Sequence, residues 1–120
     1  METRKILIVD DNDSLRSVVS QMLSWLGYDV SSADSGESGL SVFLKNKFDL
    51  VLSDYEMPGM DGVAFAHSIK RYYPRMPVVI MTGAGKETVL SRNSMAVDEV
   101  IAKPFTLKEI GAAIQNLSVR

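Results

Sequence analysis

The fold is indicated by Ile6-Leu7-Ile8-Val9-Asp10-Asp11, in which four consecutive apolar residues are followed by two acids. Short apolar runs rich in branched residues are typical of strands buried on both faces, as in a parallel sheet. Three more such runs end in a polar residue: 50–53 before Asp54, 78–81 before Thr82, and 100–102 before Lys103. Residues 28–33 alternate apolar and polar side chains and are predicted to form an edge strand.

Segments of helical periodicity lie between these runs. The first predicted helix has a cap within 12–14 and stops at Gly27, and the second starts at Ser35 or Gly36 and ends before Phe48. The third runs from Val63 and ends before Pro74, and the last begins with a capping box over 106–109. Residues 86–96 have sparse apolar positions, so a helix is least strongly indicated there.

The alternation of strands and helices predicts an α/β fold in which one three-layer domain covers residues 1–120. In a parallel sheet the carboxyl ends of the strands share one edge, and ligands bind in the crevice outside it. Five polar residues at these ends are therefore expected to converge: Asp10, Asp11, Asp54, Thr82 and Lys103.

Composition excludes several classes of protein. Hydrophobic residues make up 46% of the 120 and charged residues 23%, which argues against disorder. The absence of cysteine excludes disulfide scaffolds and thiolate metal sites, and one histidine, His67, cannot build a histidine-rich centre. A net charge of −2 with scattered basic residues shows no nucleic-acid footprint. No membrane span or secretion signal is recognisable, so a cytoplasmic protein is expected.

Three carboxylates gathered at one edge repel one another unless a cation lies between them. Mg²⁺ suits such a site because it takes oxygen ligands and shares its shell with phosphate. Asp54 stands alone after its strand and is best placed for attack, which suggests an acyl phosphate. Asp10 and Asp11 are consecutive and cannot both point at one spot from a regular strand, so one is expected to bind the metal directly and the other through water.

Further residues favour phosphate chemistry at this edge. Lys103 supplies a positive charge and Thr82 a hydroxyl, and both can hold phosphoryl oxygens. The turn-rich loop Glu56-Met57-Pro58-Gly59-Met60-Asp61-Gly62 can lend a backbone carbonyl to the metal.

Taken together and in order, these motifs resemble the receiver domain of bacterial response regulators. The resemblance rests on the paired acids after the first strand, Asp54 with residues 57–62, Thr82, and Lys103-Pro104-Phe105, and it covers essentially the whole chain. It implies a flavodoxin-like sheet of five parallel strands in the order 2-1-3-4-5, flanked by five helices.

The resemblance also implies roles for the site residues. Asp54 is the phosphoacceptor and a Mg²⁺ ligand, Asp11 the direct ligand, Asp10 its acidic partner, and Glu56 the source of a backbone carbonyl.

Two further residues of the site acquire roles from the same resemblance. Thr82 resembles the hydroxyl that moves to the phosphoryl group on activation. Lys103 resembles the lysine that pairs with the phosphoryl oxygens, and its bond to Pro104 is expected to be cis.

Some positions depart from the family pattern. Val100 stands where many receivers carry an aromatic residue that turns inward on phosphorylation. Residues 96–97 replace a glycine that commonly ends the fourth helix, so that helix is expected to end without a left-handed cap. Gly83 follows Thr82 where alanine is frequent. These departures concern the output of the domain, not the phosphorylation chemistry.

The implied partners are a sensor histidine kinase or phosphotransfer protein and a downstream output domain or protein, with neither nucleic acid nor membrane bound by this chain. Homodimerisation through the fourth and fifth helices stays open. Because the chemistry is self-modification, the chain is not expected to be an enzyme in the usual sense. Alternatives are a phosphorylation-independent interaction module, a magnesium-dependent aspartate phosphatase resembling the haloacid dehalogenase group, and a flavodoxin-like flavin binder. The phosphatase would need a lid insertion and the flavin binder a hydroxyl- and glycine-rich phosphate loop after the first strand, and this chain shows neither.

Several other residues are interpreted as structural. Asp13 and Asp61 are predicted to be solvated cap or turn residues, and Trp25 is predicted to pack rather than bind. His67 is expected at a surface or half-buried helix position, and residues 70–71 at a solvated helix end.

Overall fold

The computed structural model describes residues 3–118. Five strands alternate with five helices in this range. Their bounds are β1 Lys5–Val9, α1 Asp13–Trp25, β2 Asp29–Ala33, α2 Gly36–Lys45, β3 Leu50–Asp54, α3 Gly62–Tyr72, β4 Val78–Thr82, α4 Lys86–Leu90, β5 Glu99–Ala102 and α5 Leu107–Ser118. Within residues 3–118, the helices are all too short or too polar to cross a membrane.

The strands form one parallel sheet in the order β2-β1-β3-β4-β5, as the family resemblance implies. Every residue of β3 and β4 is buried, because helices cover both faces of the sheet. Leu7 and Val9 face a cluster formed with α2 and α3, whereas Ile6 and Ile8 face a second cluster formed with α1 and α5. The continuous apolar runs in the sequence therefore reflect strands buried on two sides.

The helix ends follow the predicted local chemistry. The Asn12 side chain accepts a hydrogen bond from the amide of Leu15 at 3.0 Å and caps α1. Gly27, just beyond α1, has a φ of +96°, the left-handed conformation that suits glycine. At the start of α5, the Thr106 amide donates to Glu109 and the Glu109 amide donates to Thr106, which confirms the capping box.

The fourth helix is shorter than the segment in which the sequence allowed it. It spans only Lys86–Leu90 and ends with Ser91 in the right-handed conformation, in line with the missing glycine cap. A left-handed residue does follow, Asn93 with a φ of +47°. Asparagine tolerates this conformation better than most residues, so the chain can turn there without glycine.

Polar pairs hold the segment after α4 against α3. Arg92 donates to the Asp61 carboxylate at 2.9 Å, and Ser94 Oγ lies 3.0 Å from Nε2 of the exposed His67. These side-chain pairs fix residues 92–94 beside α3 although α4 has already ended.

A third pair in the same region joins Asp98 and Lys70 at 2.7 Å. The Lys70 side chain is only 16% exposed, so the expectation that residue 70 lies at a solvated helix end is wrong. Asp98 precedes β5 and also accepts a hydrogen bond from the Val78 amide at 2.8 Å, which places its carboxylate beside the end of α3.

Trp25 also differs from its prediction, because its side chain is 81% exposed. The buried residues of α1 are Val19 and Leu23. Trp25 comes two residues after Leu23, which is about 200° around a helix of 3.6 residues per turn, so it points away from the core.

We expect Asp98→Ala to destabilise the protein by about 2 kcal/mol, because hydrogen bonds to charged groups contribute roughly 1.5–3 kcal/mol. The change leaves the half-buried Lys70 ammonium and the Val78 amide without this acceptor. Urea denaturation monitored by circular dichroism measures the loss. Asp29→Ala, at an exposed position of β2, is the control, and equal losses in both variants would contradict the argument.

Candidate functional site

The polar residues that end the apolar runs converge at the carboxyl edge of the sheet. Asp54 and Thr82 are the last residues of β3 and β4, whereas Asp10 and Lys103 directly follow β1 and β5. Backbone pairing fixes these ends in register, since the Tyr55 amide donates to the Met81 carbonyl and the Lys103 amide to the Thr82 carbonyl, both at 2.8 Å. The predicted convergence is therefore confirmed.

An acidic cluster occupies this edge. Carboxylate oxygens of Asp10, Asp11 and Asp54 all lie within 4.8 Å of one another. Asp10 and Asp54 are buried, whereas Asp11 is exposed. The two consecutive acids both take part because β1 ends at Val9, so neither belongs to the regular strand that would point them to opposite sides. The geometric restriction expected for a strand does not apply here.

Lys103 partly balances this negative charge. Its ammonium nitrogen lies 2.7 Å from Oδ1 of Asp54 and 3.8 Å from Oδ2 of Asp10. The peptide bond between Lys103 and Pro104 is cis, as the resemblance implies. One ammonium against three carboxylates leaves the cluster negative, and a negative cluster in a partly buried crevice attracts a cation.

One fully buried carboxylate oxygen in the cluster has no hydrogen bond within the part of the chain that the structure describes, although the Lys103 ammonium lies 3.8 Å away. Asp10 Oδ1 accepts a hydrogen bond from the Asn12 amide at 2.9 Å, but the buried Oδ2 has no hydrogen-bond partner among residues 3–118. Burial raises the pKa of Asp10, as do the charges of Asp54 and Asp11, against the opposing effects of the Asn12 amide and Lys103. An orphaned buried oxygen beside two other carboxylates fits a hard divalent cation.

Thr82 and Glu56 occupy the surroundings of the cluster. Thr82 is fully buried, and its hydroxyl oxygen accepts a hydrogen bond from the Ala84 amide at 3.0 Å. In this state the hydroxyl holds the loop after β4. Glu56 lies two residues beyond Asp54 with its side chain exposed, so only its backbone is a candidate for the site.

Two residues have contacts at the site that the sequence patterns do not reveal. Gly62 packs its Cα against the backbone of Asp54 and Tyr55, where a Cβ atom would collide with the Asp54 carbonyl oxygen. Arg16 donates to the Asp10 carbonyl at 2.7 Å. Glycine at the start of α3 was visible as part of a turn-rich loop, but its neighbour in space was not. For Arg16 the only signal was its i, i+3 spacing from Asp13.

We expect Asp10→Asn to stabilise the metal-free protein by about 1–3 kcal/mol, because an unsatisfied buried group costs roughly that much. The change removes one of three crowded charges. Thermal denaturation in a chelating buffer at about pH 7 measures it.

The pH dependence supplies a check on that prediction. A folded-state pKa above the unfolded value means that protonation of Asp10 stabilises the fold at low pH and that this contribution is lost as the pH rises. The advantage of Asp10→Asn over the wild type should therefore shrink as the pH is lowered towards about 4. A pH-independent difference would contradict the assignment, and Asp13→Asn, at an exposed residue of α1, is the control.

Comparison with known proteins is consistent with this site. A family model described as the response regulator receiver domain matches residues 6–115. A probable chemotaxis protein CheY from Rhizobium etli is 34% identical over 118 residues, covering 95% of this chain and 92% of that protein. The chain spans about half the length of two further relatives, a probable transcriptional regulator ycf27 from Porphyridium aerugineum and the transcriptional regulatory protein RprY from Bacteroides fragilis.

Solved structures show the same architecture. A response regulator receiver domain protein from Clostridium thermocellum superposes with a TM-score of 0.90 at 31% identity, covering 98% of this chain and 95% of that one. The response regulator TrrA from Thermotoga maritima, solved in complex with Mg²⁺ and BeF, has a TM-score of 0.87 at 31% identity, covering 95% of this chain and 98% of that one.

Proposed function

Because this chain belongs to the response regulator receiver domain family, we propose that it accepts a phosphoryl group on Asp54 in a Mg²⁺-dependent reaction and thereby changes its affinity for a partner. The observation that carries the proposal is the placement of Asp54 between two acids and Lys103 at the carboxyl edge of the sheet. The groups around the Asp54 carboxylate supply the metal ligands and the phosphoryl contacts of the proposed mechanism.

Asp54 is the nucleophile. One of its carboxylate oxygens attacks the phosphorus of a phosphohistidine, the new P–O bond forms as the P–N bond breaks, and the imidazole leaves with a proton from solvent. The ion pair with Lys103 orients the carboxylate, since the ammonium lies on Oδ1 at 2.7 Å and leaves Oδ2 for the attack. The buried position of Asp54 limits the access of competing water.

Asp10, Asp11 and Asp54 would hold Mg²⁺, with the backbone carbonyl of Glu56 completing the protein ligands. Bound there, the ion supplies positive charge that offsets the repulsion between the carboxylates and an incoming phosphoryl group. Asp11 is exposed and can bind directly. The buried Asp10, already bonded to the Asn12 amide through Oδ1, has Oδ2 free for the metal or its water.

Lys103 and Thr82 then respond to the new group. Lys103 can transfer its ion pair from the Asp54 carboxylate to a phosphoryl oxygen. The Thr82 hydroxyl can donate a hydrogen bond to another phosphoryl oxygen. Movement of this side chain towards the phosphoryl group breaks the bond that its oxygen accepts from the Ala84 amide, which releases the loop before α4. Val100 is buried and has no aromatic ring, so in this domain the change at the β4–α4 loop proceeds without an inward-turning aromatic side chain.

The phosphoryl donor is proposed to be a histidine kinase or phosphotransfer protein in the cytoplasm. The partner that receives the signal is proposed to be an output domain or protein. Relatives that include a sensor kinase/phosphatase and transcriptional regulators support this range of partners. Slow hydrolysis of the acyl phosphate would reset the domain. Since the only substrate is the chain's own carboxylate, we regard it as a switch that modifies itself and not as an enzyme.

Intact-mass spectrometry after incubation with acetyl phosphate tests the proposal. We expect a gain of one phosphoryl group with Mg²⁺ present and none with a chelator, because the repulsion at the cluster is then uncompensated. Binding of beryllofluoride with Mg²⁺ to wild type is the parallel measurement. Failure of both would overturn the proposal and favour a phosphorylation-independent interaction module on the same fold.

A further inference from the structure

We propose that Arg16 is a positioning residue for the metal site: it spans the loop between β1 and α1 and holds the two acids of that loop in the arrangement that Mg²⁺ requires. This inference rests on the proposed function of the acidic cluster. It concerns a cationic side chain next to a cation site, where charge alone predicts the opposite effect.

The contacts of Arg16 bracket the loop. Its Nη1 donates to the main-chain carbonyl of Asp10 at 2.7 Å, and its Nη2 donates to Oδ1 of Asp13 at 2.6 Å. The guanidinium therefore joins the first and last residues of the segment 10–13, and Asp11 lies between the two points of attachment. The Arg16 side chain is only 19% exposed, so the group is held against the protein and does not extend into solvent.

Other contacts hold Asp10 and Asn12 on either side of Asp11, and Arg16 adds a side-chain bridge across them. The Asp10 amide donates to the Ala33 carbonyl at 3.1 Å, which ties it to β2, and Asp10 Oδ1 accepts from the Asn12 amide. Arg16 adds the contact to the Asp10 carbonyl, which is the atom from which the chain leaves towards Asp11. The exposed Asp11 carboxylate thus depends on the backbone that Arg16 restrains.

Mg²⁺ is demanding about geometry, since it requires near-ideal octahedral coordination with short bonds to oxygen. A loop free to shift would carry its ligand atoms out of range. The planar guanidinium offers two donors in a fixed fork, which suits a bridge between a carbonyl and a carboxylate, whereas a lysine ammonium is a compact point charge that does not reproduce it.

The charge of Arg16 and its positioning role predict opposite changes in Mg²⁺ affinity when the residue is replaced. Removal of a positive charge near the cluster strengthens the binding of a cation by Coulomb's law. Loss of the restraint weakens it, and partners that orient metal ligands typically change the affinity by about 10–100-fold when removed. The sign of the change in Mg²⁺ affinity therefore separates the two effects.

The test is titration of ¹⁵N-labelled protein with MgCl₂, followed by amide chemical shifts. We expect Arg16→Met to raise the dissociation constant about tenfold. Arg16→Lys should also weaken Mg²⁺ binding. Because this variant retains the positive charge, it tests the effect of the bridging geometry separately from the effect of charge. Arg75→Met is the matched control, because it removes the charge of an exposed arginine that precedes β4 at the opposite edge of the sheet, so its affinity should stay close to wild type.

A second readout separates positioning from general damage to the fold. In phosphorylation by acetyl phosphate, the Mg²⁺ concentration for half-maximal rate should rise about tenfold in Arg16→Met, while the rate at saturating Mg²⁺ stays near wild type. Thermal midpoints of all variants show whether they are folded.

Unchanged or tighter Mg²⁺ binding in Arg16→Met and Arg16→Lys overturns the inference, as does wild-type protein that binds no Mg²⁺. Wild type that binds Mg²⁺ but takes no phosphoryl group would contradict the proposed function and leave this inference to be judged by the variant affinities.

Discussion

Asp54→Asn is expected to abolish phosphoryl uptake from acetyl phosphate. The acceptor must be an ionised carboxylate, because attack by its oxygen forms an acyl phosphate, and a neutral amide does not offer that nucleophile. The substitution also removes the carboxylate that pairs with Lys103 at 2.7 Å and one of the three metal-binding groups. Loss of the nucleophile and loss of metal ligation thus act in the same direction.

Intact-mass spectrometry of the variant with saturating Mg²⁺ measures the effect. Asp61→Asn is the matched control, since it makes the same chemical change seven residues further along the chain. Asp61 caps α3 by accepting from the Ala64 amide at 2.9 Å, and asparagine caps a helix equally well. The control should label normally. Labelling of Asp54→Asn to the wild-type level would refute the acceptor assignment, and peptide mapping would then locate the true site.

Gly62→Ala is expected to produce the largest loss of stability, about 3 kcal/mol, at the upper end of the usual cost of overpacking. A Cβ atom there would collide with the carbonyl oxygen of Asp54 and lie 3.0 Å from the Cα of Tyr55. Both obstacles are backbone atoms, so no side-chain rotation relieves the contact. The backbone that must move carries the proposed phosphoacceptor, hence slower phosphoryl uptake should accompany the loss of stability.

Replacement of Gly111 by alanine should change the stability in the opposite direction. Gly111 lies within α5, and a Cβ atom there would meet Leu26 at 3.5 Å, an ordinary van der Waals distance. Alanine is favoured over glycine in a helix interior by about 1 kcal/mol, so Gly111→Ala should stabilise the protein. Urea denaturation of both variants measures the contrast. If Gly62→Ala were as stable as wild type, the close approach of α3 to the Asp54 backbone would not hold in solution.

Much of the fold was predictable because its signals are local. An apolar run such as residues 6–9 must be buried on both faces, and the polar residue that follows it ends the strand. The capping chemistry of Asn12 and Thr106 also operates within a few residues. Such patterns depend on neighbours in the chain, and all five strands were located from them.

Other features depended on partners far away in sequence. The position of the segment after α4 depends on Lys70 and His67 of α3, whose side chains contact Asp98 and Ser94 respectively. Lys70 therefore became half-buried although its local sequence resembles a solvated helix end. Trp25 became exposed because the orientation of α1 against the sheet selected Val19 and Leu23 as its buried face.

The candidate site likewise combines features that follow from local sequence patterns with features that depend on tertiary packing. The side chains that meet at the sheet edge can be identified from the amino-acid sequence, because strands that run parallel bring their last residues together whatever their separation along the chain. The packing of the folded chain, by contrast, brings both consecutive acids within 4.8 Å of Asp54 and places Arg16 across the loop that carries them. It also decided that Gly62 meets the Asp54 backbone. Distances of this kind depend on how a loop leaves its strand and how helices pack, and these are set by the whole core rather than by any local pattern.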